Sequence, residues 1–138
     1  ARHLTGLVEP LGFVECSLRR KAEAIAAIDD TGTGATFKVL HDTFHHLVAG
    51  ETELFPQRTG LVHISGVSDA EISVDVMRDP HRVLIDKSDR IDNAGQIARL
   101  IAGGYAGPLS FEPFASIGSS APAIAAALKS SMEFLAAA

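Results

Sequence analysis

Four short apolar runs recur along this 138-residue chain, and each ends on a side chain able to bind a divalent metal. Leu7-Val8 runs into Glu9, and Phe37-Lys38-Val39-Leu40 runs through His41 into Asp42. Gly60-Leu61-Val62 runs into His63, and Pro108-Leu109-Ser110-Phe111 runs into Glu112. Apolar runs this short, bounded by turn residues, read as buried strands. Between them the apolar spacing becomes helical. Leu18, Ala22, Ile25, Ala26 and Ile28 predict a helix capped by Ser17 and reaching about Asp29. Phe44, Leu47 and Val48 predict a short helix ended by Gly50. Ile97, Leu100 and Ile101 predict a third, capped by Asp92 or Asn93 and closed by Gly103-Gly104. Pro122 opens a long Ala-rich helix after Ser119-Ser120. The stretch from Ser65 to Arg90 offers only a weak helical piece around Ala70 and a polar loop.

Strand then helix, four times over, predicts an α/β fold with a parallel sheet and its helices outside. The expected strands lie near residues 4–9, 37–42, 59–64 and 109–112, in a single domain spanning 1–138. Each expected strand carries its polar residue at its C-terminal end, where parallel α/β folds build their sites. Four parallel strands do not close a small barrel, which needs about eight. Their open edges invite another chain.

Composition narrows the function classes. The chain is 46% hydrophobic and 21% charged, the balance of an ordinary globular domain. A net charge of −5, with Arg19-Arg20-Lys21 as the longest basic run, argues against a nucleic-acid partner. No apolar run reaches the ~18 residues of a membrane span. The single cysteine, Cys16, points to a reducing, cytoplasmic setting. No signal peptide is visible, and the chain enters its first strand almost at once from Ala1, as if cut from something longer.

Three carboxylates and one imidazole form an oxygen-rich donor set, which suits Mn, Mg, Co or Zn better than Cu. Glu9 and Glu112 both precede proline at matched strand ends, so they read as a pair flanking a metal. One would take a proton from a substrate carbon and the other would return it to the neighbouring carbon. Asp42 can cap the following helix, yet it also stands three residues before His45 at a strand-to-helix junction. His41 should point away from Asp42, because strand side chains alternate. His46 reads as a surface group or a support to the site. Ser65-Gly66 would let a small polar substrate approach closely, and His81 and Arg82 are candidates to cover the site and bind substrate oxygens. No Gly-x-Gly-x-x-Gly, phosphate loop or Gly-x-Ser-x-Gly elbow is present.

The segments Val8-Glu9-Pro10-Leu11-Gly12-Phe13, His41-Asp42-Thr43-Phe44-His45, Val62-His63-Ile64 and Gly104 through Phe114 together resemble the C-terminal half of the xylose-isomerase-like barrel superfamily. Within it, the nearest look is to inosose isomerase and its sugar isomerase and epimerase relatives. The resemblance implies a (β/α)8 barrel with one divalent metal held by Glu9, Asp42, His63 and Glu112. It implies that Glu9 and Glu112 double as the acid/base pair, that His45 holds a substrate oxygen, and that Arg82 contacts substrate. The implied reaction moves a proton between adjacent carbons of a sugar or cyclitol hydroxy-ketone through an enediol. An epimerase or dehydratase would use the same residues, and a non-catalytic assembly module is the alternative of another class. An endonuclease-type relative would call for more histidines and a basic surface. Two departures stand out. Val83-Leu84-Ile85-Asp86-Lys87-Ser88-Asp89 replaces the Pro-Gly-x-Gly turn of many relatives, and the first four strands are missing. The expected partner is therefore the missing N-terminal half or a second copy.

Overall fold

The computed structural model describes residues 4–138. Four strands, β1 (Gly6–Val8), β2 (Phe37–Asp42), β3 (Thr59–Ile64) and β4 (Leu109–Phe111), form one parallel sheet in the order β1-β2-β3-β4. The helices are α1 (Lys21–Asp30), α2 (Thr43–Ala49), α3 (Asn93–Ala102) and α4 (Ala121–Ala137). Parallel neighbours require a crossover between strands, and helices or long loops supply each one.

Alternation along the strands sorts the residues into two sets. Val39, His41, Val62 and Ile64 are fully buried and pack toward the helices. Residues of the other parity, Leu7, Leu40, Leu61 and Ser110, face inward, and the next inward positions are Glu9, Asp42, His63 and Glu112. Asp42 stands directly opposite His63 in the ladder. The four polar residues thus reach one end of one face because the strands run in the same direction.

The core lies in three patches, two of them helices against the sheet and one a helix against the loops around it. Ala24 and Ile28 of α1 meet Val39. Phe44 of α2 packs with Phe13, Val67, Met77 and Ile91. Leu100 of α3 and Phe134 and Leu135 of α4 gather around Val62, Ile64, Ile85 and Tyr105. Two apolar hollows remain at the sheet's borders. One of about 520 Å³ lies beside β4 and includes Ile97, Ile101 and Leu135, and one of about 370 Å³ lies beside β1 and includes Val8, Ile28 and Phe37. Among the described residues no helix is long and apolar enough to cross a membrane.

Three local expectations are corrected. The first helix begins at Lys21, not after Ser17. Its free amides are met from elsewhere: Glu51 accepts from the backbone N–H of Lys21 and Ala22 (3.2 and 3.1 Å). Nothing helical forms around Ala70; two short 3₁₀ turns at Val74–Val76 and Asp79–His81 carry the chain instead. Asp92 occupies the N-cap of α3 but its side chain caps nothing. The Asp89 carboxylate takes the N–H groups of Ile91 (3.0 Å) and Asn93 (2.9 Å) in its place.

Candidate metal centre

Glu9, Asp42, His63 and Glu112 each present one ligand atom within 4.8 Å of the others. His63 Nδ1 lies 3.3 Å from Glu9 Oε1 and 3.1 Å from Glu112 Oε2. Yet His63 Nδ1 and Glu9 Oε1 are buried and make no hydrogen bond. Atoms this close that are aimed at a common point rather than at each other fit a cation between them. Donors of this kind, three carboxylates and an imidazole, suit a hard or borderline divalent ion. The pKa of Glu9 is raised, chiefly by burial and then by the nearby charges of Asp42 and Glu112.

Asp42 has two jobs. Its Oδ1 accepts from the N–H of Phe44 (2.8 Å) and of His45 (3.0 Å), capping α2, while Oδ2 receives Arg82 Nη2 at 2.5 Å. The capping reading of the sequence is thus met by Oδ1, in the same carboxylate that joins the four-residue cluster.

Arg82 lies beneath the cluster and is 1% exposed. Its Nη2 also reaches Glu112 Oε2 (2.8 Å), its Nε donates to Ser65 Oγ (2.9 Å), and Nη1 meets Asp79 (3.2 Å). The rings of Phe44 and Phe114 sandwich the guanidinium at 5.1 and 4.9 Å. Burial opposes its charge, but Asp42, Asp79 and Glu112 outweigh this and hold its pKa above the ordinary value. Ser65 is fully buried on Arg82, and Gly66 forms a two-way backbone bridge with Val83, so this pair braces the loop. His81 uses Nδ1 to accept from the backbone N–H of Arg78 (2.9 Å).

His45 is buried edge-on to Phe13 (5.1 Å) and Phe44 (5.3 Å), with Nδ1 unpartnered. Gly12 makes this approach possible: at φ 71° it lies where a Cβ would come within 2.4 Å of the His45 carbonyl oxygen. His46, read from the sequence as a surface group or a support to the site, is buried, with Nδ1 2.7 Å from Lys21 Nζ. Lys21 Nζ also meets Glu51 Oε2 at 3.0 Å. Burial is the largest influence on Glu51 and pushes its pKa up, but His46 and Lys21 together bring it down to about 2. Lys21, Glu51, Asn93 and Gln96 had no sequence signal as site neighbours, since each looks like a surface residue in isolation.

His41 points to the helix side, as alternation requires, and its Nε2 bonds Gln96 Oε1 (2.9 Å). Gln96 Nε2 faces the carbonyls of Thr43 and Ile91 (3.1 and 2.9 Å), which fixes the amide's orientation. His41 must therefore donate from Nε2. Burial, helped by Lys21, lowers its pKa to about 3; burial, helped by Arg82, lowers that of His45 to about 4. Both rings ionise more readily in the unfolded chain, so the unfolded state binds more protons below pH ~6.5. Stability should accordingly fall as pH drops from ~6.5 toward those folded values, by about 2 kcal/mol per ring at pH 5. Thermal midpoints between pH 7.5 and 4.5 test this. His41→Gln should remove about half of the dependence, and a midpoint indifferent to pH would remove the neutral-ring assignment.

The family described as the xylose isomerase-like TIM barrel matches residues 1–138, the whole chain. The chain belongs to that family. Among solved structures it is similar to a xylose isomerase domain containing protein from Salmonella typhimurium LT2, with 34% identity and a TM-score of 0.77 over 96% of this chain. The IOLI protein, solved with a binding zinc atom, matches over 96% of this chain with a TM-score of 0.80 at 18% identity, which speaks to fold alone. A xylose isomerase domain protein from Alicyclobacillus acidocaldarius matches over 97% at 24% identity and TM-score 0.72. These matches cover 48%, 49% and 50% of the neighbours' own chains, so the chain spans about half the length of these structures. No curated protein matches it. The four strands are thus half of a TIM barrel.

Proposed function

We propose that this chain carries the metal-binding and acid–base half of a divalent-metal-dependent isomerase acting on a sugar or cyclitol hydroxy-ketone of the inosose type. The observation that carries the reading is the convergence of Glu9, Asp42, His63 and Glu112 on one point at the C-terminal end of the sheet. A bound divalent cation would stabilise negative charge on a substrate oxygen as the carbon-bound proton leaves. The zinc of the IOLI protein supports a cation in this fold; Mn, Mg, Co and Zn all suit the donors. Glu112 takes the proton from one carbon. Glu9, the second carboxylate beside His63, returns a proton to its neighbour. His45, neutral and with Nδ1 unpaired, supports an assignment to a substrate oxygen. The remaining half-barrel, from the same polypeptide or a second copy, closes the sheet and covers the apolar hollows at its borders.

Deuterium uptake by inosose in D₂O tests the reaction. EDTA should stop the exchange, and adding Mn, Co, Mg or Zn should restore it. Exchange that persists without metal would remove the mechanism. Product analysis separates the isomerase from an epimerase or dehydratase built on the same residues.

A further inference from the structure

Helix α3 breaks the expected apolar pattern where it faces the site. Its first buried positions are Asn93 and Gln96, 0% and 2% exposed, where a leucine would pack without any desolvation cost. Both amides are instead engaged with β2, with the residues just past β2 and β3, and with the loop before α3. Asn93 Oδ1 accepts from Thr43 Oγ1 (2.6 Å), and its Nδ2 donates to the Ser65 carbonyl (2.8 Å) and to Asp89 Oδ2 (3.0 Å). Thr43 directly follows Asp42, and Ser65 stands two residues past His63. One amide therefore ties the end of β2 to the end of β3.

The circuit closes through Arg82. Its Nε donates to Ser65 Oγ and its Nη2 to Asp42 Oδ2, the residue beside Thr43. Starting at Asp42, the chain of contacts runs through Thr43, Asn93, Ser65 and Arg82 and returns to Asp42. Arg82 touches the ligand carboxylates of Asp42 and Glu112 directly, whereas Thr43 and Asn93 touch none of the four ligand side chains. Within this ring the Thr43 hydroxyl is a side-chain contact that holds the peptide next to Asp42 from the helix side. Groups that hydrogen-bond a metal ligand typically change metal affinity by about 10- to 100-fold when lost, and Thr43 and Asn93 act one residue removed from Asp42, so the low end of that range is expected.

We propose that Asn93, acting through the Thr43 hydroxyl and the Ser65 carbonyl, is a positioning residue that fixes the relative placement of Asp42 and His63. The inference rests on the reading of those side chains as ligands. It adds that their spacing is set by α3 and not by the sheet ladder alone.

The test measures Mn(II) dissociation constants by electron paramagnetic resonance, beside thermal midpoints, in the protein at its encoded length. Thr43→Val removes only the hydroxyl, Thr43→Ser keeps it, and Asn93→Leu removes the amide. Mn affinity should fall at least about tenfold in Thr43→Val and in Asn93→Leu and stay within about threefold of the parent in Thr43→Ser. With Co(II) in place of Mn, the visible absorption of Thr43→Val should shift, and that of Thr43→Ser should not. A merely structural pair would lower the midpoint and leave affinity and spectrum unchanged; that result overturns the proposal while leaving the ligand set intact. If the valine and leucine variants do not fold, loss of affinity in Thr43→Ser overturns it. A parent protein that takes up no Mn overturns the ligand reading and the proposal together.

Discussion

Glu112→Gln should abolish deuterium exchange on inosose by about a thousandfold or more while the protein still binds Mn. The amide keeps an oxygen where the carboxylate had two, so it can still face a cation and still accept from Arg82 Nη2, which lies 2.8 Å from Glu112 Oε2. What it cannot do is take a proton from carbon. Exchange isolates that step, because it reads the carbon–hydrogen bond without requiring the full turnover. Nuclear magnetic resonance of the recovered substrate gives the rate, and metal analysis of the same sample shows whether the site is loaded. A variant within tenfold of the parent would argue against Glu112 as the base. Glu9→Gln offers the complementary measurement. If Glu9 only returns the proton, its variant should still let deuterium enter at the first carbon but form little product. The two variants should differ in the ratio of exchange to conversion, which a shared structural defect would not produce.

The strands and the four convergent side chains were legible in the sequence because two periods agree. Apolar runs of strand length mark the sheet, and a polar residue at each C-terminal end marks one face of it. Parallel pairing then leaves little freedom: if Asp42 faces inward, His63 beside it does so too. The buried polar framework was not legible. Lys21, Glu51, Asn93 and Gln96 are residues that usually face water, and only the packing of α1 and α3 against β2 and β3 shows that they do not. The start of α1 illustrates the limit. Ser17 has good capping chemistry, but the Glu51 carboxylate arrives from 30 residues away to meet the amides of Lys21 and Ala22, and a distant partner leaves no local trace. Arg82 is a similar case. The sequence shows an arginine in a charged loop; the fold buries it between two rings and two of the candidate ligands.

Arg82→Met should lower stability by about 3–5 kcal/mol when the protein is stripped of metal. Methionine can fill much of the space between Phe44 and Phe114, so packing loss is not the main effect. The cost comes from Asp42 Oδ2, whose carboxylate is fully buried and whose 2.5 Å partner would be gone, and from Glu112, which would lose the same guanidinium. With Glu9 also turned toward them, three acidic groups would share one region without a counter-charge. A divalent cation bound there supplies part of that charge, so the destabilisation should shrink when unfolding is repeated at saturating Mn. Arg82→Lys should fall in between, because an ammonium cannot reach both carboxylates and Ser65 with a planar fork. Urea unfolding of the parent and both variants, with EDTA and with Mn, gives the comparison. The same variants decide between two roles for this side chain. If Arg82 serves chiefly to hold Asp42 and Glu112, then stability and Mn affinity both change. If it serves chiefly to contact substrate, as the family resemblance implies, KM rises while unfolding and Mn binding stay as in the parent. The burial of the guanidinium and its four oxygen partners favour the first outcome.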